Sequence, residues 1–593
     1  MYVKRCQVRR GEKHYSYLRL VEAYRDEGGK VRHRVLATLG REDELKASGQ
    51  LEQLAGIFAR LDPPLLGTRR EVGSLLLVQH YLDRLKIKET VDALLPQRGR
   101  ALLTQGEVVV ALIANRLSAP APLYDVAGWA GQAALPELFG IPGGLLNDDR
   151  LGRALEALSP VAEELRGRVL LAAVEDFGLD GSQLHLDLTT LRFTGVYEDS
   201  ALVGKGWGSD RRVARQVRTL QATTPEGVPL YLRPHPGSCA ELSALGSALE
   251  RLRALTGPGL LAVADSALGH LSSLCALDGA GVRFIVPLRA QTGFAARFLS
   301  EVGPGALCPL PYVSAREAGL PQEERTRYRG ALRPFPVRDP KSGATHRLQV
   351  AYIWSSEEER SVAAGRERAL AKAEAALLRI RRGLGGPHYQ TTEAVMRRVG
   401  AILSPGLADL LAVEVGEQGG RPTLEFSRVE AAIGEAARLD GLYALGTNLP
   451  EPLSAAEVLR LYKAQWVVEQ RHRDLKGTLR VRPLFLHNDD RIAALVSLVG
   501  LALLIFGLLE ADLRERLGDE ELPGLLPEGR SARPTGRNIL AAFQGLGLTY
   551  TPRGPELDRL THTQRRILEL LGIASPWAEQ GAGPGLRRCG KRG

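Results

Sequence analysis

At 593 residues the chain is too long for one hydrophobic core, so several domains are expected. Its 44% hydrophobic and 25% charged residues are ordinary for a soluble globular protein, and five scattered cysteines without a C-x-x-C pair argue against a disulfide framework or a thiolate zinc site. A net charge of +10 favours an anionic partner, nucleic acid first. The predominance of Arg suits bidentate phosphate contacts, although a GC-rich genome would produce the same bias.

The opening MYVKRCQVRRGEKHY lacks the apolar stretch of a secretory signal, so a cytoplasmic location is expected. Residues 1–60 read as a strand-rich module. Tyr15–Arg25 and Lys30–Leu39 are β-prone runs split by the turn 26–29, a predicted hairpin. Lys30, Arg32 and Arg34 share one face of the second run; such a ribbon can lie on DNA or be an ordinary exposed sheet face. Residues 61–180 read as helical, with periodic segments at Val72–Leu85, Thr104–Leu117 and Asp148–Leu158, and form a candidate DNA-end-binding bundle.

At Gln183 the period changes to two. Leu184, Leu186 and Leu188 alternate with His185, Asp187 and Thr189, predicting a strand with one apolar and one polar face. Further strands are expected at Val217–Thr223, Pro229–Arg233 and Phe284–Pro287, and a helix at Leu242–Leu255. Leu260–Ala264 is an apolar run ending at Asp265, as in a buried parallel strand. Residues 290–438 are less regular, with a strand at Leu348–Ile353 and a charged helix at Glu357–Arg382. Gly441–Leu445 is a predicted strand.

The stretch Ser454–Gly477, SAAEVLRLYKAQWVVEQRHRDLKG, then reads as one long helix, with Ser454 and Glu457 as a capping box and Gly477 as the stop. On it Tyr462, Gln465, Glu469, Arg473 and Lys476 form a polar stripe. A carboxylate among bases and a Tyr suits metal holding beside phosphate gripping; a solvated face laced with salt bridges has the same pattern. Ile492–Leu509 is an uncharged run of membrane-spanning length, equally suited to a helix buried on all sides. Residues 516–593 hold Pro/Gly breaks, a helix near Gln564–Leu571 and a tail, GAGPGLRRCGKRG, expected to be disordered.

Asp187 in mid-strand, Asp265 at a strand end and Glu469 on a helix are candidate ligands for two hard divalent ions of the kind that drive phosphodiester chemistry. The chain has 68 acidic residues, so spacing alone leaves many trios open, and an Asp at a strand end can equally be a turn residue. His185, two residues before Asp187, could face the same site or be hydrogen-bonded within the sheet. Arg473 could help at a phosphate or pair with Glu469 one turn away. Trp354 could stack on a base or pack in a core.

LHLDLTTLRF around Asp187, LLAVADSALGH around Asp265, and YKAQWVVEQRHRDLKG followed by VRPLFLHNDDRIAAL together resemble the DDE transposases of bacterial insertion sequences. The branch is the one whose last catalytic helix carries a Tyr-Arg-Glu-Lys signature. Tyr462, Glu469 and Lys476 fall on that spacing; Gln465 stands where the branch has Arg, leaving the missing charge to a neighbour such as Arg471 or Arg473. Gly204–Gly237 resembles the family only loosely.

The resemblance implies an α/β fold with a ribonuclease-H-like core, a mixed sheet flanked by helices, interrupted by a β-rich insertion. The expected division is 1–60, 61–180, core 181–289, insertion 290–438, core with catalytic helix 439–515, and a C-terminal region 516–593 with a dimerisation role open to it. It implies Asp187, Asp265 and Glu469 as catalytic, Mg²⁺-holding residues (two ions, Mn²⁺ able to substitute), and Tyr462, Gln465, Arg473 and Lys476 as DNA contacts. Cut-and-paste transposition, commonly through a hairpin intermediate, would act on double-stranded DNA at terminal inverted repeats and target. A homodimer in the DNA complex, a cytoplasmic, nucleoid-associated location and no membrane role are expected. The alternative is a catalytically inactive DNA-binding descendant.

Overall fold

The computed structural model describes residues 2–10, 13–25, 31–48, 66–97, 101–207, 213–239, 248–249, 251–253, 257, 259–314, 316–339, 342–450, 452–480, 486–577 and 579. The predicted turn 26–29, most of the predicted helix Leu242–Leu255 and the tail 581–593 lie outside them. The chain divides into two compact units. One comprises 1–180, 188–239 and 469–593; the other comprises 181–187 and 240–468. The fold is mixed α/β, with a large mixed sheet and many helices.

In the first unit β1 (Tyr2–Arg10), β2 (Lys13–Arg25) and β3 (Val31–Arg41) form an antiparallel sheet, the pairing of β2 with β3 being the predicted hairpin. β4 (Arg69–Glu71) precedes the helices Leu75–Arg84, Ile87–Leu94, Gln105–Ser118, Asp148–Leu158 and Ala162–Phe177. Thr104 and Glu107 make a complete capping box at the start of Gln105–Ser118, satisfying N–H groups that the helix cannot pair itself.

β5 (Gln183–Arg192) changes unit between Asp187 and Leu188. Its second half lies beside the antiparallel strands β6 (Gly204–Trp207), β7 (Val213–Thr223) and β8 (Pro229–Pro236) of the first unit. The same unit holds the helix Asp489–Leu517, which is long and apolar enough to cross a membrane by length and composition. Its apolar window is 94% buried within the protein, against β8 and the helices Gln105–Ser118 and Asp148–Leu158. It is apolar all round because it is enclosed all round.

In the second unit the first half of β5 is followed by β9 (Leu261–Ala264), β10 (Arg283–Pro287), β11 (Cys308–Leu310), β12 (Tyr328–Arg338), β13 (Thr345–Ser355), β14 (Leu411–Gln418), β15 (Arg421–Arg428) and β16 (Leu442–Thr447). The order is β11-β12-β13-β16-β10-β9-β5, with β5, β9 and β10 parallel and the rest antiparallel. Residues 290–438, expected as a β-rich insertion, therefore divide. β11 to β13 extend this sheet, while the 27-residue helix Ser356–Arg382, the helix Thr392–Ile402 and the β14–β15 hairpin close a core of their own around Leu370, Leu377, Ile380, Val395 and Leu424. Helix thus has a larger share there than expected, because alternating Leu and Ala on Ser356–Arg382 give that helix an apolar face to bury. In the first unit the chain ends with β17 (Gly547–Thr551), which pairs with β4 and with β18 (Gly554–Leu557), and the helix His562–Leu571.

Candidate functional site

β5 and β9 are parallel and in register, from Gln183 opposite Leu261 to Leu186 opposite Ala264. The next residue of each is an aspartate, Asp187 and Asp265. Neighbouring strands lie about 4.8 Å apart, so the two carboxylates rise from adjacent backbones at the same level, Asp187 in mid-strand and Asp265 just past the end of β9. Asp265 keeps an extended backbone (φ −77°, ψ −178°), and its Oδ1 accepts the Ala267 N–H at 2.9 Å, starting the short turn Ser266–Leu268. Asp187 is half-buried and Asp265 exposed, positions from which both reach solvent.

The predicted polar face of β5 is not open below Asp187. His185 is completely buried, because the parallel part of the sheet is covered on both faces. Its Nε2 lies 3.1 Å from Gln183 Nε2, and burial pushes its pKa down to about 4, so the ring is neutral at physiological pH. That places His185 within the packed sheet.

The predicted single helix over Ser454–Gly477 is broken. Ser454 Oγ accepts from the Glu457 N–H at 3.2 Å and starts the helix Ala455–Lys463. Ala455, Val458 and Leu459 pack onto Leu261 and Val263 of β9, Ile285 of β10 and Leu445 of β16. At Ala464 and Gln465 the backbone switches to bonds between residues three apart: Gln465 N–H to Tyr462 O, Val467 N–H to Ala464 O and Val468 N–H to Gln465 O. The helix resumes as Trp466–Arg473 and ends in a wide turn, Asp474–Thr478. Gly477 is inside that turn; the left-handed residue at the exit is Arg480 (φ 44°). The break shifts the phase of the face, so Tyr462 and Gln465 do not continue the stripe of Glu469, Arg473 and Lys476 as they would on one ideal helix.

Glu469 and Arg473 are both exposed, and among the described residues no ion pair joins them, so of the two alternatives for Arg473 the pairing with Glu469 is not formed. Glu469 belongs to the first unit, Asp187 and Asp265 to the second. Among the described residues no group of three His, Cys, Asp or Glu side chains is near enough to share one ion. Lys476 Nζ donates to Thr189 Oγ1 on β5. Tyr462 and Gln465 are half-buried, as is Trp354 in β13.

Arg471, read from the sequence as a substitute phosphate contact, is internal. With 2% of its side chain exposed, it donates to Gly227 O (2.6 Å), Asp474 Oδ2 (2.9 Å) and Glu510 Oε2 (3.0 Å). Glu510 also pairs with Arg514 at 2.7 Å and accepts the Gly536 N–H at 2.9 Å. This network fastens the segment after Glu469 to the β7–β8 turn and to Asp489–Leu517. No sequence signal marks it, because Arg471 and the Gly227 carbonyl that it meets are 244 residues apart. A second anchor sits in the HNDDR segment. Asp489 accepts from Ser200 Oγ and from the N–H groups of Ala201 (2.8 Å) and Leu202 (3.1 Å), while Asn488 caps the helix through the Arg491 N–H.

Family models match three stretches. Residues 3–57 match the IS1634 family transposase N-terminal domain, 68–164 a domain of unknown function, and 180–505, more than half of the chain, the transposase DDE domain. No curated protein matches the chain.

Proposed function

This chain belongs to the transposase DDE-domain family of bacterial insertion sequences, and from that premise we propose that it cuts and rejoins DNA at the ends of its element. The observation that carries the reading is the register of β5 and β9, which makes Asp187 and Asp265 neighbours where the parallel pairing of the two strands ends. Parallel β5, β9 and β10, with antiparallel β7 and β8 following β5 in the chain, support a ribonuclease-H-like core.

The family generally uses divalent metal ions. Adjacent carboxylates form the all-oxygen donor set that suits Mg²⁺ or Mn²⁺, so Asp187 and Asp265, with Glu469 as third ligand, would hold two ions. When bound, such ions supply an activated water and charge neutralisation at the phosphate. The protein's own groups bind and orient the DNA. Arg473 is an exposed cation one turn beyond Glu469, Lys476 is tied to β5 through Thr189, Tyr462 precedes the helix break and Gln465 lies in it. These residues grip the backbone so that the scissile phosphate meets the acids.

The N-terminal sheet and the helical module after it would read the terminal inverted repeats. The protein would act as a homodimer on DNA in the bacterial cytoplasm, by cut-and-paste, without a membrane role. Gln465 in place of the branch's Arg favours the second reading, a DNA-binding descendant without catalysis. Mg²⁺-dependent nicking of a duplex carrying the element's end separates the two. Activity in wild type that disappears in Asp187→Ala, Asp265→Ala and Glu469→Ala supports the enzyme; activity undiminished in all three variants removes the site assignment.

A further inference from the structure

On the helix Ser356–Arg382, Leu370, Ala373, Leu377 and Ile380 face the core of the module formed by residues 356–437. Residues three and four apart share a helix face, so Arg368, Lys372, Ala375, Arg379 and Arg382 form one stripe on the opposite side. All five are exposed. The stripe contains four cations and no acid.

The charges elsewhere on this helix are sorted differently. Arg366 is held by Asp440 through two bonds of 2.7 and 2.6 Å. Glu367 and Glu374 both pair with Arg428 of β15. Among the described residues none of Arg368, Lys372, Arg379 and Arg382 has an acidic partner, and Arg379 bonds only the Ala375 carbonyl, at 3.3 Å. The helix dipole accounts for cations in the last turn, which covers Arg379 and Arg382. It does not account for Arg368 and Lys372, which lie about two turns or more before it. Arg368 and Lys372 are four apart and Arg379 and Arg382 three apart, so the stripe repels itself and costs the free helix stability. Such an arrangement is offset when a polyanion lies along it.

We propose that this face is a second double-stranded DNA contact, binding phosphates without reading sequence. From Arg368 to Arg382 it spans about 21 Å at 1.5 Å per residue, enough to follow several phosphates of a duplex. The identity of the polyanion rests on the transposase reading; the charge sorting does not.

The test measures binding of the full-length protein to a short duplex of arbitrary sequence across about 50–200 mM KCl. Each phosphate contact adds about 0.9 to the slope of log affinity against log salt. The variant Arg368→Gln, Lys372→Gln, Arg379→Gln, Arg382→Gln is expected to flatten that slope by about 2 to 4, with unchanged thermal unfolding. The charge-keeping variant Arg368→Lys, Arg379→Lys, Arg382→Lys is expected to keep it. A wild-type slope in the Gln variant, or an equal loss in the Lys variant, overturns the proposal. Failure of the transposase reading appears separately, as absence of Mg²⁺-dependent end cleavage by wild type.

Discussion

Asp187 and Asp265 are adjacent because Leu186 and Ala264, the residues just before them, are register partners in parallel strands. Two like charges about 5 Å apart repel by about 3 kcal/mol at an effective dielectric near 20, and solvent around the exposed Asp265 screens this to a fraction. A divalent cation reverses the sign. Asp187→Asn removes one of the two carboxylates. On adding Mg²⁺ the wild type should gain up to about 2.7 kcal/mol at a hundredfold excess over Kd, and the variant much less. Equal Mg²⁺ responses in calorimetry would count against a metal site at this pair.

Gly269 tests how Asp265 is held. A Cβ there would lie 2.1 Å from the Pro287 carbonyl oxygen at the end of β10, and backbone cannot step aside as a flexible side chain can. Gly269 also accepts the Arg289 N–H at 3.1 Å. Gly269→Ala is therefore expected to cost about 1–3 kcal/mol and to displace the turn that follows Asp265. Cleavage should fall by more than the loss of folded protein explains, as read from activity normalised to the folded fraction.

Arg471 and Glu510 give the opposite kind of test, since neither reaches solvent. Removing one partner leaves the other's charge buried, which typically costs 3–5 kcal/mol, or roughly that here. Glu510→Ala is expected to lower the urea midpoint strongly. Glu510→Gln should cost less, because its amide oxygen can still accept from Gly536. An Arg471 that gripped phosphate would instead lose DNA affinity on substitution while keeping its stability, and that outcome would contradict the burial.

Much of this was legible locally. The alternation of Gln183–Arg192 and the apolar run before Asp265 identify two strands from their own residues, and the family likeness orders them. The break at Ala464 and Gln465 carries no Pro or Gly, so nothing in the local sequence marks it; packing of Val458 and Leu459 on the sheet fixes one segment while Arg471 fixes the next. β12 was missed because Pro334 and Pro336 argue against a strand. They are tolerated because β11 pairs only with Tyr328–Gly330, leaving that stretch of β12 as a sheet edge with no N–H required of it. Arg471 looked like a surface base because its partners come from turns and helices remote in the chain.

His80 gives a pH test away from the catalytic residues. Burial, followed by the nearby Arg84, lowers its imidazole below the usual 6.5, and its Nε2 is buried without a partner among the described residues. The unfolded chain therefore takes up a proton at a pH where the folded one does not. The stability associated with a neutral His80 is fully present above pH 6.5 and is lost progressively as pH falls from there through the lower folded value. His80→Gln removes this contribution. Urea midpoints at pH 7.5 and 5.5 should drop less for the variant than for wild type, the difference isolating this ring from other groups that titrate in the same range. Equal drops in the two proteins would mean that His80 is protonated as readily in the fold as in the unfolded chain.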